Sequence, residues 1–353
     1  MSAAVLSSAG ARRAESPGLW ALAWRRFCRD RVGVVAFAVA LFFFGLTVAS
    51  GLHLIAADWS REAGVNYAPP VFAGADEPAE SSLAAPSPAP RSARDASTEE
   101  SNIVDPLADV LAEIRRESGG VEAEEKKSAT LAFGGDKWGR DVLKKVIKGT
   151  ETSLFVGLAA AVLATLIGTV FGALAGYYGR ATDDFFNWFY SIFTSVPYLL
   201  LILAIAAVLN QKGTAAVVLI LGLTGWPGIF RLVRAEYLKH RVREYVQAAD
   251  AIGASHARRM FVHILPNVSH VILVQLSLHV VLFIKSEVIL SFLGFGVGVD
   301  TVSWGSMLNE AQNELILGKW WQLAAVTLAM ATLVTAFSLF TDALRDALDT
   351  RLA

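Results

Sequence analysis

The chain has 353 residues, of which 54% are hydrophobic, and a formal net charge of −1. A mean hydropathy of +0.47 excludes an ordinary soluble domain, since several apolar runs reach the roughly 20 residues that cross a bilayer. The single cysteine, Cys28, excludes an intrachain disulfide, the scattered histidines show no zinc-ligand spacing, and no phosphate loop of the Gly-Lys-Ser/Thr type occurs.

Residues 1–31 form a basic tail carrying Arg12, Arg13, Arg25, Arg26, Arg29 and Arg31. The apolar run 32–57 is longer than the roughly 7–15 residues of a signal-peptide core, which predicts an uncleaved first span. The arginines before it place the N-terminus in the cytosol. Residues 58–149 are predicted to lie outside the cytosol as a largely irregular insertion ending in an interfacial helix. Ala, Pro, Ser and Glu dominate 58–132, and 68–100 is predicted to be extended or disordered. A weak helical pattern runs over 103–117. The insertion reads either as a tolerated loop or as a subdomain that touches a receptor. Over 133–149, Trp138, Val142, Val146 and Ile147 fall on one side of an amphipathic interfacial helix.

Five further spans are predicted at about 154–177, 185–209, 214–233, 268–293 and 320–340, within a transport core over 150–341. Gly168, Gly172 and Gly176 repeat at the four-residue spacing that lets helix backbones approach in lipid. Pro197 predicts a kink. Gly222, Gly225, Pro227 and Gly228 predict a bend, with lining of a pathway as a second reading. Lys285 and Glu287 stand inside a span, where ionisable groups are costly. Each either finds a partner in the bundle or lines a translocation path. Trp304, Trp320 and Trp321 suit a membrane interface, and a short helix is predicted in the loop 299–319. Residues 342–353 return to the cytosol.

Between the fourth and fifth spans lies a polar loop, 236–267. Tyr245, Ala248, Ala249 and Ile252 fall at helical spacing, Gly253 interrupts, and Ala257, Met260, Phe261, Ile264 and Leu265 make a second apolar stripe that turns Arg258, Arg259 and His263 away. Pro266 is predicted to stop that helix. The helix–glycine–helix pattern suits either docking on a partner or lying on the lipid surface.

The residue order over 247–266 resembles the EAA loop of ABC-importer permeases, Glu-Ala-Ala followed at fixed spacing by Gly, Ile and Leu-Pro. Ala248, Ala249, Gly253, Leu265 and Pro266 match; Gln247 replaces the usual Glu and His263 the usual Ile. Glu244, one turn earlier, is a possible substitute for the missing acid. Further stretches, among them GGDKWGRDVL, LAGYYG, TGWPGIFRLVR, LSFLGFG, SWGSML and DALRDALDTRL, follow the order of the dipeptide/oligopeptide/nickel permease family and resemble its C-type subunit. The departures are the long insertion, Thr341, Thr350 and Lys285.

The resemblance implies an all-α membrane protein with six transmembrane helices in a type I ABC-importer permease bundle. It implies a transport subunit in the bacterial inner membrane, with both termini cytosolic, without catalytic residues, cofactor or metal of its own. The implied partners are a second permease subunit, two ATP-binding subunits and an extracytoplasmic solute-binding protein, with no nucleic acid. The implied coupling residues are Glu244, Tyr245, Gln247, Ala248, Ala249, Ile252, Gly253, Leu265 and Pro266. Lys285 and Glu287 are the candidates for the path. The cargo implied is a di- or oligopeptide, the alternatives being nickel or another small solute. An ion-coupled secondary transporter or a membrane scaffold would be a different class; the first would need internal repeats, which the sequence does not display.

Overall fold

The computed structural model describes residues 19–74, 127–298 and 300–348. The helical pattern expected over 103–117 lies outside them, as do Arg12, Arg13, Thr350 and Arg351. Among the described residues the chain is helical, with isolated bridges and no strand. Four helices are long and apolar enough to cross a membrane, and two bent pairs bring the number to six.

The larger of two compact units holds the described parts of 1–57, 146–310 and 326–353. Helix α1 (Leu19–Phe27) leads to α2 (Arg31–Gly51), whose N-cap Asp30 accepts from the Val32 N–H at 3.0 Å. The first span ends at Gly51 rather than at 57, because His53 and Ala56 take positive φ values of 57° and 53°. Phe27 packs on Phe340, Ala343 and Ala347, so the start of α2 adjoins the end of the last helix.

Helix α3 (Val142–Tyr178) has 37 residues, about 55 Å at the usual rise. Its three spaced glycines receive α7 (Pro227–His240). A Cβ at Gly168 would lie 2.7 Å from the Trp226 carbonyl oxygen, at Gly172 2.8 Å from that of Phe230, and at Gly176 2.6 Å from that of Arg234. The glycine repeat is therefore a packing seam inside this chain. Asp183 of α4 (Arg180–Thr194) locks the same region by receiving Arg234 in a forked pair, with Nη2 at 2.7 Å.

Pro197 separates α4 from α5 (Tyr198–Leu209), and the two helices are bent by 82°, more than a kink. Helix α6 (Thr214–Thr224) meets α7 at a 40° bend, where Gly225 closes one helix and Pro227 opens the next. Helix α8 (Glu244–Ala251) follows. A turn of helix, His256–Arg258, and a π-helical segment, Arg259–Ile264, then run without interruption into α9 (Leu265–Phe292).

Pro266 thus opens α9 rather than stopping the helix before it. The wider π turn lets the Leu265 N–H reach the Met260 carbonyl five residues back. It also relieves the clash a proline ring makes with the preceding turn of an α-helix.

The described parts of 58–145 and 311–325 form the second unit. Isolated bridges tie it together: Glu62 to Arg140, Gly64 to Ser128, Pro70 to Leu131, and Gly135 to Asp141. Residues 68–74, expected to be extended or disordered, belong to this knot. Ala68 is fully buried and the Val71 N–H donates to the Leu131 carbonyl at 2.9 Å.

The interfacial helix expected over 133–149 is also corrected. Gly134 and Gly139 take φ of 86° and 77°, and Trp138 sits in a turn. Asp136 organises that turn, its Oδ1 accepting from the Trp138 and Arg140 N–H groups at 2.9 Å and its Oδ2 from Lys145 Nζ at 2.7 Å. Helix begins only at Val142, once Asp141 accepts from the Leu143 N–H at 2.8 Å. Helix α10 (Trp304–Ile316) is the short helix expected in the loop, and α11 (Trp321–Leu348) follows it.

Candidate functional site: the loop between α7 and α9

Helix α8 has two faces. Val246 and Ala249 are 3% and 4% exposed, and Val246 joins Tyr237, Met260, Ile264 and Val268 in one apolar cluster. The expected single stripe is therefore divided. Ala249 packs inward, while Tyr245, Ala248 and Ile252 face out, Ile252 with 84% of its surface exposed. The second stripe divides in the same way: Met260 and Ile264 are buried, Leu265 is half-buried, and Ala257 and Phe261 are exposed.

The corner is built as the glycine implies. Gly253 has φ 82°, and a Cβ there would meet no atom within 4 Å. Conformation, not crowding, therefore requires glycine. Ser255 caps the following turn, accepting from the Arg258 N–H at 3.3 Å. The Tyr237 hydroxyl donates to the Met260 carbonyl at 3.1 Å, tying α7 to the π segment.

One expectation about charges is revised. Arg259 does not turn away; it pairs with Asp250 across the corner, lies over the Tyr177 ring and stands 2.9 Å from His256 Nδ1. Gln247, in place of the usual acid, folds back so that Nε2 donates to the Val242 carbonyl at 3.2 Å. Glu244 stays exposed in the first turn of α8, where its charge favours the helix N-terminus. Burial pushes the Tyr245 phenol above its usual pKa, so it remains a neutral partner for His240 Nδ1, 2.8 Å away.

Residues 168–353 match the family described as binding-protein-dependent transport system inner membrane component. The chain belongs to that family. It is 37% identical over 225 residues to the dipeptide transport system permease protein DppC of Bacillus subtilis strain 168, covering 64% of this chain and 70% of that one. It is 35% identical over 232 residues to the oligopeptide transport system permease protein OppC of the same organism, covering 66% of this chain and 75% of that one. Among solved structures, it is similar to a chain of the inward-facing MetNI methionine ABC transporter. That alignment has a TM-score of 0.48 and 16% identity, and covers 58% of this chain and 96% of the other.

In this inner-membrane transport component the two intramembrane ionisable residues part ways. Glu287 is wholly buried and accepts from Ser153 Oγ at 2.6 Å and Ser291 Oγ at 2.7 Å. The same Ser153 oxygen accepts from the Trp304 N–H at 3.2 Å. Lys285, two residues earlier on α9, is exposed.

The transport component also has a cleft that the sequence reading did not assemble. It has a volume of about 440 Å³ and opens where α4–α5 and α6–α7 break against α9, with Thr194, Tyr198, Thr224, Gln275 and His279 as its polar lining. The breaks at Pro197 and Gly225 were legible signals for it. Paired interruptions inside spans are where irregular backbone lines a cavity rather than facing lipid.

Proposed function

We propose that the chain is the C-type permease subunit of an ATP-driven importer for di- or oligopeptides. It would receive substrate from an extracytoplasmic binding protein and pass it to the cytosol by alternating access. The names carried by its relatives support the peptide reading over nickel or another small solute. The observation that carries the coupling role is the divided α8. Its inner face is anchored in the bundle, while Ala248 and Ile252 stand exposed beside a corner set by Gly253.

Such a knob, rooted in the cluster around Tyr237 and Met260, can pass a push on its outer face to α7 and α9. A cytosolic ATPase is the partner proposed for that face, in the helix-in-groove manner. The loop, the N-terminal tail and the C-terminal tail are proposed to be cytosolic. A second permease subunit, a pair of ATP-binding subunits and the binding protein would complete the assembly. Lys285, exposed on α9, is the ionisable residue proposed for the path; Glu287 is proposed to hold α3 and α9 together.

The test is ATPase activity of the co-expressed assembly in lipid nanodiscs, with the binding protein and a mixed peptide pool. Peptide-dependent stimulation is expected. Stimulation by metal chelates but not peptides would replace the cargo, and absence of any associated ATPase would overturn the importer reading.

A further inference from the structure

The cleft beside α9 is lined by polar side chains that the bundle engages only in part, His279 stacking on Phe283 and Thr224 bonding its own helix. Gln275, His279 and Leu282 line it near the middle of the 28-residue α9. His279 is 3% exposed, and its Nδ1 lies 3.2 Å from Thr165 Oγ1. With that hydroxyl donating, Nε2 carries the hydrogen. Nε2 faces the cleft, 3.8 Å from where a Cβ on Gly228 would stand, with Gln275 Nε2 3.9 Å from the same point. Those two nitrogens are the nearest atoms to that point, both at ordinary contact distance.

A buried polar group left without a partner costs about 1–3 kcal/mol, so the Tyr198 hydroxyl, buried in the lining of this cavity with no partner among the described residues, points to a ligand. The lining combines donors and acceptors without a formal charge. Gln275 offers both, Tyr198 offers a hydroxyl, and Thr224, which spends its hydrogen on the Ile220 carbonyl at 2.6 Å, offers an acceptor. A secondary amide carries the complementary pair, one N–H and one carbonyl per residue.

We propose that this cleft binds main-chain amides of the peptide in transit, with His279 and Gln275 as its chief contacts. The inference rests on the importer reading above and names the surface that meets the cargo. Contact with the backbone, not the side chains, would let one site pass peptides of varied sequence. Lys285, three residues beyond Leu282 on α9, is exposed and lies outside the lining of the cleft.

The test is uptake of radiolabelled tri-alanine into proteoliposomes holding the complete transporter and its binding protein. His279→Leu and Gln275→Leu are each expected to raise the KM about tenfold, the size of one lost hydrogen bond, while the ATPase still co-purifies. His279→Gln, which keeps a donor, is expected to restore most of the affinity. Gly228→Val fills the same space from the opposite wall and is expected to raise the KM with all polar groups intact. An unchanged KM in these variants, or an equal loss in His279→Gln and His279→Leu, would overturn the site. Wild-type proteoliposomes that take up another solute but no tri-alanine would overturn the peptide reading and this ligand with it.

Discussion

Arg259 reaches back across the Gly253 corner to pair with Asp250, the residue that closes the exposed side of α8. The pair couples the two halves of the loop directly. Its side chains are 12% and 63% exposed, so its contribution belongs to the surface range of about 0.2–1 kcal/mol. Asp250→Asn should therefore leave the bundle assembled but loosen the hairpin. Amide exchange over 251–258 is expected to quicken several-fold, with unchanged exchange in α7. Equal protection in wild type and variant would show that the apolar cluster alone holds the corner.

Gly253 is required for its backbone angle. With φ at 82° and open space around it, Gly253→Val should cost about 1–3 kcal/mol through strain alone. Gly253→Asn should cost less, because asparagine tolerates the left-handed region. Both proteins should reach the membrane. The valine variant should lose ATPase in a detergent pull-down while the asparagine variant retains part of it. Equal pull-down in both would remove the corner from the coupling role.

Ile252 is the most exposed apolar side chain of the loop, at 84%. Covering such a side chain is worth about 1.5–3 kcal/mol, so Ile252→Asp should weaken ATPase association at least tenfold. Val246→Asp, on the inner face, should instead lower the abundance of the permease itself. A matched phenotype in the two variants would mean that the outer face is not a docking surface.

Much of this division was hidden in the sequence. The spacing of Tyr245, Ala248, Ala249 and Ile252 displays one apolar stripe, yet alanine is small enough to serve either face, and only packing assigns Ala249 inward. Pro266 reads as a stop because the π turn that accommodates it has no sequence signature of its own. Gly168, Gly172 and Gly176 were legible, since close backbone approach leaves glycine as the one residue that fits. The cleft was legible only through the breaks at Pro197 and Gly225, because its polar lining comes from three segments far apart in the chain.

The glycine seam gives a comparison inside one bundle. A Cβ on Gly172 would stand 2.8 Å from the Phe230 carbonyl oxygen and 2.9 Å from the Val233 Cβ, whereas one on Gly45 would meet nothing within 4 Å. Gly172→Leu should separate α3 from α7 and lower the thermal midpoint in detergent, while Gly45→Leu should leave it within a degree or so, as lipid-facing surface changes do. Similar midpoints in both variants would deny that α7 seats on the glycine row.

Asp136 and Lys145 form the most enclosed ion pair described, at 0% and 1% side-chain exposure. Besides Lys145, the carboxylate holds the Trp138 and Arg140 N–H groups that shape the turn before α3. Removing one member of such a pair costs about 3–5 kcal/mol, because the other charge stays buried. Lys145→Met should therefore be severely destabilising. Adding Asp136→Asn removes the stranded charge yet keeps an oxygen for both N–H groups, so the double variant should be more stable than Lys145→Met alone. Thermal unfolding of the three proteins checks this. Additive losses would mean that the turn depends on its backbone hydrogen bonds and that the ion pair contributes no coupling of its own.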